Sequence, residues 1–293
     1  MHSPQNGQSP QHGRSPKHGR PPQYGVIAPD QDVDAILAAG ADYIEPTIVG
    51  NVIVPDGDGD GINDGGGVGG WRANTALRTR AASPSFAVLV PGAMRLSDPD
   101  FPLASTRDYL RTALGAAADL ARPGATVVLG SGAARRMPEG VDPDAARLQF
   151  ARTVEVARDV GAEHGLEIVL EPLHRGETDL INTVTEAIDF LDEFGMGELR
   201  VVADLFHIMR EGEPLEVIRA RADRVAHAHI ADSGRTPPGQ GEWPLAEFLE
   251  ALRGGGYRGH VSIECTWADV ASEAGPALAA VRAADPAWAA SGA

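Results

Sequence analysis

From residue 25 onward, short apolar runs bounded by Gly, Pro or Asp alternate with longer stretches in which apolar residues return every three or four positions. A short continuous apolar run suits a strand buried on both faces, and the 3.6-residue recurrence suits a helix with one buried stripe. The predicted strands are GVIAP (25–29), DYIEP (42–46), SFAVLV (85–90), ATVVLG (125–130), LEIVLE (166–171), RVVAD (200–204), RVAHAHIAD (224–232) and HVSIE (260–264). Helices are predicted at 31–39, about 105–121, about 143–164, 183–194, 214–221, 244–253 and 275–283. Strands alternating with helices give an α/β protein with a parallel sheet. Eight such strands predict a (β/α)₈ TIM barrel over residues 25–293. An open doubly wound sheet is the alternative.

Two segments break the alternation. Residues 1–24 repeat with a period of six, QNGQSP, QHGRSP, KHGRPP, QYG, and offer nothing to a core. They read as a disordered low-complexity tail, and His2, His12 and His18 as solvated residues. Residues 55–70, PDGDGDGINDGGGVGG, read as a flexible Gly/Asp insertion after the second strand, placed to act as a lid. Asp56, Asp58, Asp60 and Gly61 match the start of a calcium loop, but Gly67 stands where the bidentate Glu is required and no helix precedes it.

Four strands end on metal-ligand residue types: Glu171 closes GLEIVLE, Asp204 LRVVAD, His229 RVAHAH and Glu264 GHVSIE. Their spacings of 33, 25 and 35 residues bracket the roughly 31 residues that such a barrel spends on each strand–helix unit. One such residue per unit, at the carboxyl ends of successive strands, converges on one mouth. Three carboxylates and an imidazole suit a single hard or borderline divalent cation, Mn²⁺ first, with Mg²⁺, Co²⁺ and Zn²⁺ as alternatives. Such a cation polarises a carbonyl, and two carboxylates beside it can remove and return a proton α to that carbonyl through an enediolate.

Composition narrows the choice further. Net charge is −16, and the tail contributes +3 through Arg14, Lys17 and Arg20, leaving the remainder at −19. A body that acidic repels phosphodiester backbones and argues against nucleic acid. Lys17 is the only lysine, so the barrel cannot form a Schiff base. No apolar run is long enough for a membrane span and no signal-peptide stretch opens the chain. Cys265 is the only cysteine, which excludes an intrachain disulfide and fits a reducing, cytoplasmic setting. A homo-oligomer is left open.

Further residues surround the ligand set: Glu177 in EPLHRGE, His207 in DLFH and Arg235 in HIADSGR. With the four strand-end residues they resemble the xylose-isomerase-like barrel superfamily, and within it the single-metal sugar isomerases and epimerases typified by ketose 3-epimerases and hydroxypyruvate isomerase. The resemblance covers about residues 25–285 and is strongest from 126 to 267. It implies that Glu171, Asp204, His229 and Glu264 bind the metal, that Glu171 and Glu264 are the acid/base pair, and that Glu177, His207 and Arg235 grip a small sugar or polyol. It also supplies competitors. A DNA-repair endonuclease of this superfamily needs histidines from early strands, and none lies between 19 and 163. Aldose isomerases working by hydride shift depend on a lysine beside the metal. A metal-dependent dehydratase or lyase of a cyclic polyol or keto-sugar, or a non-catalytic sugar-binding barrel, stays open. Among neighbouring residues, His227 is read as structural, facing the opposite side of its strand from His229. His174 and Trp267 are candidates to touch substrate, and Arg135 or Arg136 to hold an anion.

Overall fold

The computed structural model describes residues 22–57, 70–77 and 82–291. The hexapeptide repeats up to Pro21 and most of the Gly/Asp insertion, including Asp58, Asp60 and Gly61 of the calcium match, lie outside them. In chain order the strands are β1 (Tyr24–Ile27), β2 (Tyr43–Glu45), β3 (Ile53–Pro55), β4 (Trp71–Ala73), β5 (Ser83–Phe86), β6 (Ala121–Leu129), β7 (Glu167–Leu170), β8 (Arg200–Asp204), β9 (Val225–Ile230) and β10 (Val261–Ile263). The helices are α1 (Val33–Ala38), α2 (Leu103–Ala118), α3 (Gly132–Arg135), α4 (Pro143–Glu163), α5 (Val184–Glu193), α6 (Leu205–Glu211), α7 (Leu215–Ala220), α8 (Leu245–Gly254), α9 (Val270–Ala284) and α10 (Pro286–Ser291).

Eight strands form one parallel sheet in the order β2-β1-β10-β9-β8-β7-β6-β5. The ring closes just beyond β2 and β5, where Thr47 and Ala87 form a parallel bridge. There the Ile48 N–H donates to the Ala87 carbonyl at 2.8 Å and the Ala87 N–H to the Pro46 carbonyl at 3.0 Å. This is the expected TIM barrel, with one substitution in the pattern. Among the described residues, no helix follows β2; an antiparallel hairpin of β3 and β4 takes that place, pairing Ile53 with Ala73 and Pro55 with Trp71. Trp71 meets Tyr109 of α2 edge-on at 5.7 Å, so the hairpin covers the barrel where a helix otherwise would.

Local sequence explains the helix starts that matter for the site. Asp142 accepts from the Ala145 N–H at 3.1 Å, with Pro143 opening α4, and Thr183 caps α5 by accepting from the Glu186 N–H at 3.1 Å. Most of the core lies between the sheet and its helices. Inside the barrel, Val128, Val169 and Val202 form a separate apolar cluster. Because side chains alternate along a strand, residues two further on point to the same interior: Gly130, Glu171 and Asp204. No helix among the described residues is long and apolar enough to cross a membrane.

Candidate metal centre and substrate cavity

The four strand-end residues meet. Donor atoms of Glu171, Asp204, His229 and Glu264 all lie within 4.8 Å of one another. The His229 ring sits between two carboxylates: Nδ1 is 3.1 Å from Glu171 Oε1 and 3.1 Å from Glu264 Oε2. Asp204 has a double role. It ends β8 and caps α6, its Oδ1 accepting from the Phe206 N–H at 2.8 Å. Its Oδ2, like Glu264 Oε2, is buried and, among the described residues, accepts no hydrogen bond. Orphaned carboxylate oxygens are costly in a dry interior. Two donors on opposite sides of a divalent cation at ~2.1 Å lie ~4.2 Å apart, so this quartet fits one such ion.

Titration follows from that crowding. Burial, then the charges of Glu264 and Glu171, lifts the Asp204 carboxyl to about 8. Burial likewise raises Glu171. Burial works against ionised Glu264 as well, but the charge of His229, with that of Arg235, brings it down to about 2. Burial opposes a charge on His229; Glu45 and Glu264 outweigh it and hold the imidazolium well above its ordinary range. A metal-free site therefore keeps protons where a cation would sit.

The residues around the centre fall where the chain pattern placed them. Capping by Asp204 starts α6 at the mouth, so His207, three residues on, faces the site. Its Nε2 lies 3.4 Å from Asp204 Oδ2, and its Nδ1 accepts the His174 backbone N–H at 3.1 Å. Nδ1 is thereby the acceptor and Nε2 carries the proton, and burial, the largest influence on the ring, lowers its pKa to about 2. Arg235 bridges two carboxylates, 2.8 Å from Glu264 Oε1 and 3.2 Å from Glu177 Oε1, and lies over the Phe206 ring at 4.7 Å. Glu171, Glu177, His207, His229, Arg235 and Glu264 line one cavity of about 180 Å³. A second cavity of about 420 Å³ shares Val88, Arg235 and Glu264 and adds Trp267, so Trp267 does face the site. Val88, Ser131 and Arg235, on the wall of the first cavity, adopt positive φ without being glycine, the strain expected at functional sites.

Three expectations change. His227 does not face away from His229: residues two apart share a strand face, and the rings meet edge-on at 4.9 Å inside the barrel. Arg135 holds no anion. It is fully buried and donates to the carbonyls of Glu171 at 2.7 Å and Ile181 at 3.2 Å, pinning the end of β7; Arg136 donates to the carbonyls of Gly176 and Glu177. His174 backs the site instead of lining it, stacking on His207 at 5.3 Å and lying 3.3 Å from Glu177 Oε1.

Three contributors escaped the sequence reading. Glu45 ends β2 much as Glu171 immediately follows β7, but its apolar run is only two residues long. Asp232 is buried and gathers the loop bearing Arg235, accepting N–H groups of Ser233 at 2.8 Å, Trp243 at 2.9 Å and Gly239 at 3.0 Å. Gly130 leaves room that the Glu171 carboxylate fills, so a Cβ there collides with Oε2. Only the position of Gly130, two residues past interior Val128, would have flagged it.

The description "xylose isomerase-like TIM barrel" matches residues 33–287. The chain belongs to that family. Within the xylose isomerase-like barrels, a D-psicose 3-epimerase of Enterocloster bolteae is 33% identical over 124 residues, 42% of this chain and 41% of that one. A 3-dehydro-D-guloside 4-epimerase of Escherichia coli is 30% identical over 128 residues, 43% of this chain and 48% of that one. The matched stretches thus span under half the length of these curated relatives. A D-allulose 3-epimerase from Methylomonas sp., solved in complex with D-allulose, superposes with a TM-score of 0.71 at 22% identity, covering 90% of this chain and 98% of that one, which shows the shared fold.

Proposed function

We propose that this barrel is a metal-dependent sugar epimerase or isomerase that moves the proton α to a ketose carbonyl, with Glu171 and Glu264 as acid and base. The observation that carries the reading is the pair of carboxylates at one donor quartet, delivered by β7 and by the end of β10. Those strands are separated in the sheet by β8 and β9, so the two groups reach the axis from well-separated directions. One can take the proton from carbon and the other return it, the requirement for inverting that carbon. Named epimerases among the relatives point to the same chemistry.

Glu171, Asp204, His229 and Glu264 would hold the cation, Mn²⁺ first. When bound, a divalent cation polarises the carbonyl and offsets the charge that develops on its oxygen. The chain's own groups do the rest. His207 Nε2–H, neutral and too far from Asp204 for a good hydrogen bond, is free to donate to a substrate oxygen. Arg235 donates beside Glu264, and Glu177 accepts from a hydroxyl while holding Arg235 in place. Together they fix the reacting carbon against the carboxylates.

The test is proton NMR in D₂O on EDTA-stripped protein resupplied with Mn²⁺, against a panel of ketoses and inososes. Deuterium should appear at one carbon next to a carbonyl, together with the epimer or isomer at that carbon. Loss of water in place of exchange would assign the dehydratase chemistry. Binding without exchange would make it a sugar-binding barrel, and undiminished exchange without metal would refute the metal's role.

A further inference from the structure

One half of the barrel interior beneath the metal centre is polar. Val128, Val169 and Val202 form the apolar half. Opposite them, Tyr43, Ser85, His227 and Ser262 are buried around one carboxylate, Glu45, which is wholly inaccessible. Register explains the gathering. Glu45 pairs with Ile27, Ser262 with His229, and His227 with Val202, all on inward-facing positions. Glu45 Oε2 accepts from His227 Nε2 at 2.7 Å, from Ser85 Oγ at 2.8 Å and from Ser262 Oγ. Ser262 Oγ is 2.8 Å from the Tyr43 hydroxyl, which completes the chain as its donor. Among the described residues, Glu45 Oε1 has one partner, His229 Nε2, at 3.2 Å.

A carboxylate can only accept. Its contact with Nε2 therefore requires the proton on that nitrogen, and a neutral His229 must then offer its lone pair from Nδ1. Nδ1 is the nitrogen that faces Glu171 and Glu264. We propose that Glu45 is a positioning residue for the metal centre: it fixes the ring plane and tautomer of His229 so that Nδ1 points at the cation. His227, Ser85 and Ser262 hold Glu45 Oε2, leaving Oε1 for His229 alone. A carboxylate behind a ligating imidazole also makes the ligand more basic, and losing such a partner costs about 10–100-fold in metal affinity. Glu45 touches neither cavity, so its effect passes through His229. The inference rests on the metal reading above.

Two variants and one spectrum test it on the full chain. Mn²⁺ is titrated into EDTA-stripped wild type, Glu45→Gln and Glu45→Ala by calorimetry, with melting temperatures of the metal-free proteins measured in parallel. Wild type should show one site. Glu45→Gln, which preserves shape but not charge, should bind about tenfold more weakly, and Glu45→Ala up to about 100-fold. In Mg²⁺-loaded wild type, long-range ¹H–¹⁵N correlation should find His229 protonated at Nε2. Glu45→Gln affinity within twofold of wild type overturns the inference, even if melting temperature falls, because that pattern marks a purely structural carboxylate. So does His229 protonated at Nδ1 in the Mg²⁺ form, a result that does not depend on either variant folding. Wild type that binds no Mn²⁺ would refute the underlying metal reading itself.

Discussion

At the scale of single residues, charge and space at the centre are separable by mutation. On the proposed function, Glu171→Gln and Glu264→Gln each remove a ligand charge and a proton carrier, so kcat should fall by at least ~10²–10⁴-fold; the metal-free protein should melt no lower for Glu171→Gln, whose carboxyl burial disfavours as an ion, but lower for Glu264→Gln, which loses its charge pairs with His229 and Arg235. Gly130→Ala touches no chemistry, yet its Cβ takes the place of Glu171 Oε2; it should weaken Mn²⁺ binding and kcat together, which steady-state kinetics across a Mn²⁺ series will show. The pH response follows from Asp204. Its folded pKa of about 8 exceeds the ~3.9 of an unfolded aspartate, so the metal-free fold holds a proton the unfolded chain has lost. Stability is then lost as pH rises from about 4 through 8. His229, raised well above its ordinary range, has the same sign: its contribution is full below ~6.5 and is lost above. Glu264, down to about 2, acts only in acid. The EDTA-stripped protein should therefore melt lower at pH 8 than at pH 6, and saturating Mn²⁺ should restore more at pH 8. A melting temperature that climbs with pH in the stripped protein would contradict this assignment.

At the scale of elements, the strands that carry the site were legible because each ends an apolar run with a ligand-type residue, and β7, β8, β9 and β10 supply all four. Glu45 obeys the same rule, but β2 is three residues long and its run too short to stand out. His227 shows a different failure. A structural role was expected, but the direction of its side chain depends on strand parity, and parity places it beside His229. The β3–β4 hairpin could not be read, because Gly and Asp dominate the segment between its strands and hydrophobic periodicity fails there. The structure also fixes the insertion's limits more tightly. The Asp56 N–H donates to the Gly70 carbonyl at 2.7 Å, so the hairpin register extends into both ends of residues 55–70. Replacing only 58–69 with a two-residue turn should leave melting temperature nearly unchanged. If the segment acts as a lid over the mouth, where loops after strands commonly gate chemistry, KM will rise or substrate preference shift. Wild-type kinetics in that variant would make it a tolerated insertion, and calcium-dependent melting lost on shortening would revive the calcium match.

At the scale of the whole molecule, the two ends of the barrel chain are tied together, and this sets where the tail can be cut. Tyr24, the one tyrosine of the hexapeptide pattern, is the first residue of β1 and is fully buried. Its hydroxyl donates to Asp285 Oδ2 at 2.9 Å, just after α9. Arg253 of α8 reaches the same oxygen, at 2.8 Å. Trp288 of α10 meets the Tyr24 ring edge-on at 5.6 Å, and the Arg282 guanidinium lies over the Trp288 ring at 4.9 Å. First strand and last helices thus share one buried aromatic and ionic knot. The composition boundary at residue 24 therefore falls inside the fold. Removing residues 1–21, which carry no apolar anchor, should leave melting temperature and kcat within about experimental scatter. Extending the deletion through Tyr24 removes a buried aromatic and leaves Asp285 short of a donor. Truncating buried aromatics costs about 3–5 kcal/mol, and unsatisfied buried polar groups add to that, so this deletion should drop the melting temperature by many degrees. Tyr24→Phe separates the two contributions: it keeps the ring and loses only the hydrogen bond, and should cost about 1–2 kcal/mol in denaturant unfolding. Equal melting temperatures for the two deletions would show that the knot does not hold the ends, and that α9 and α10 dock without Tyr24.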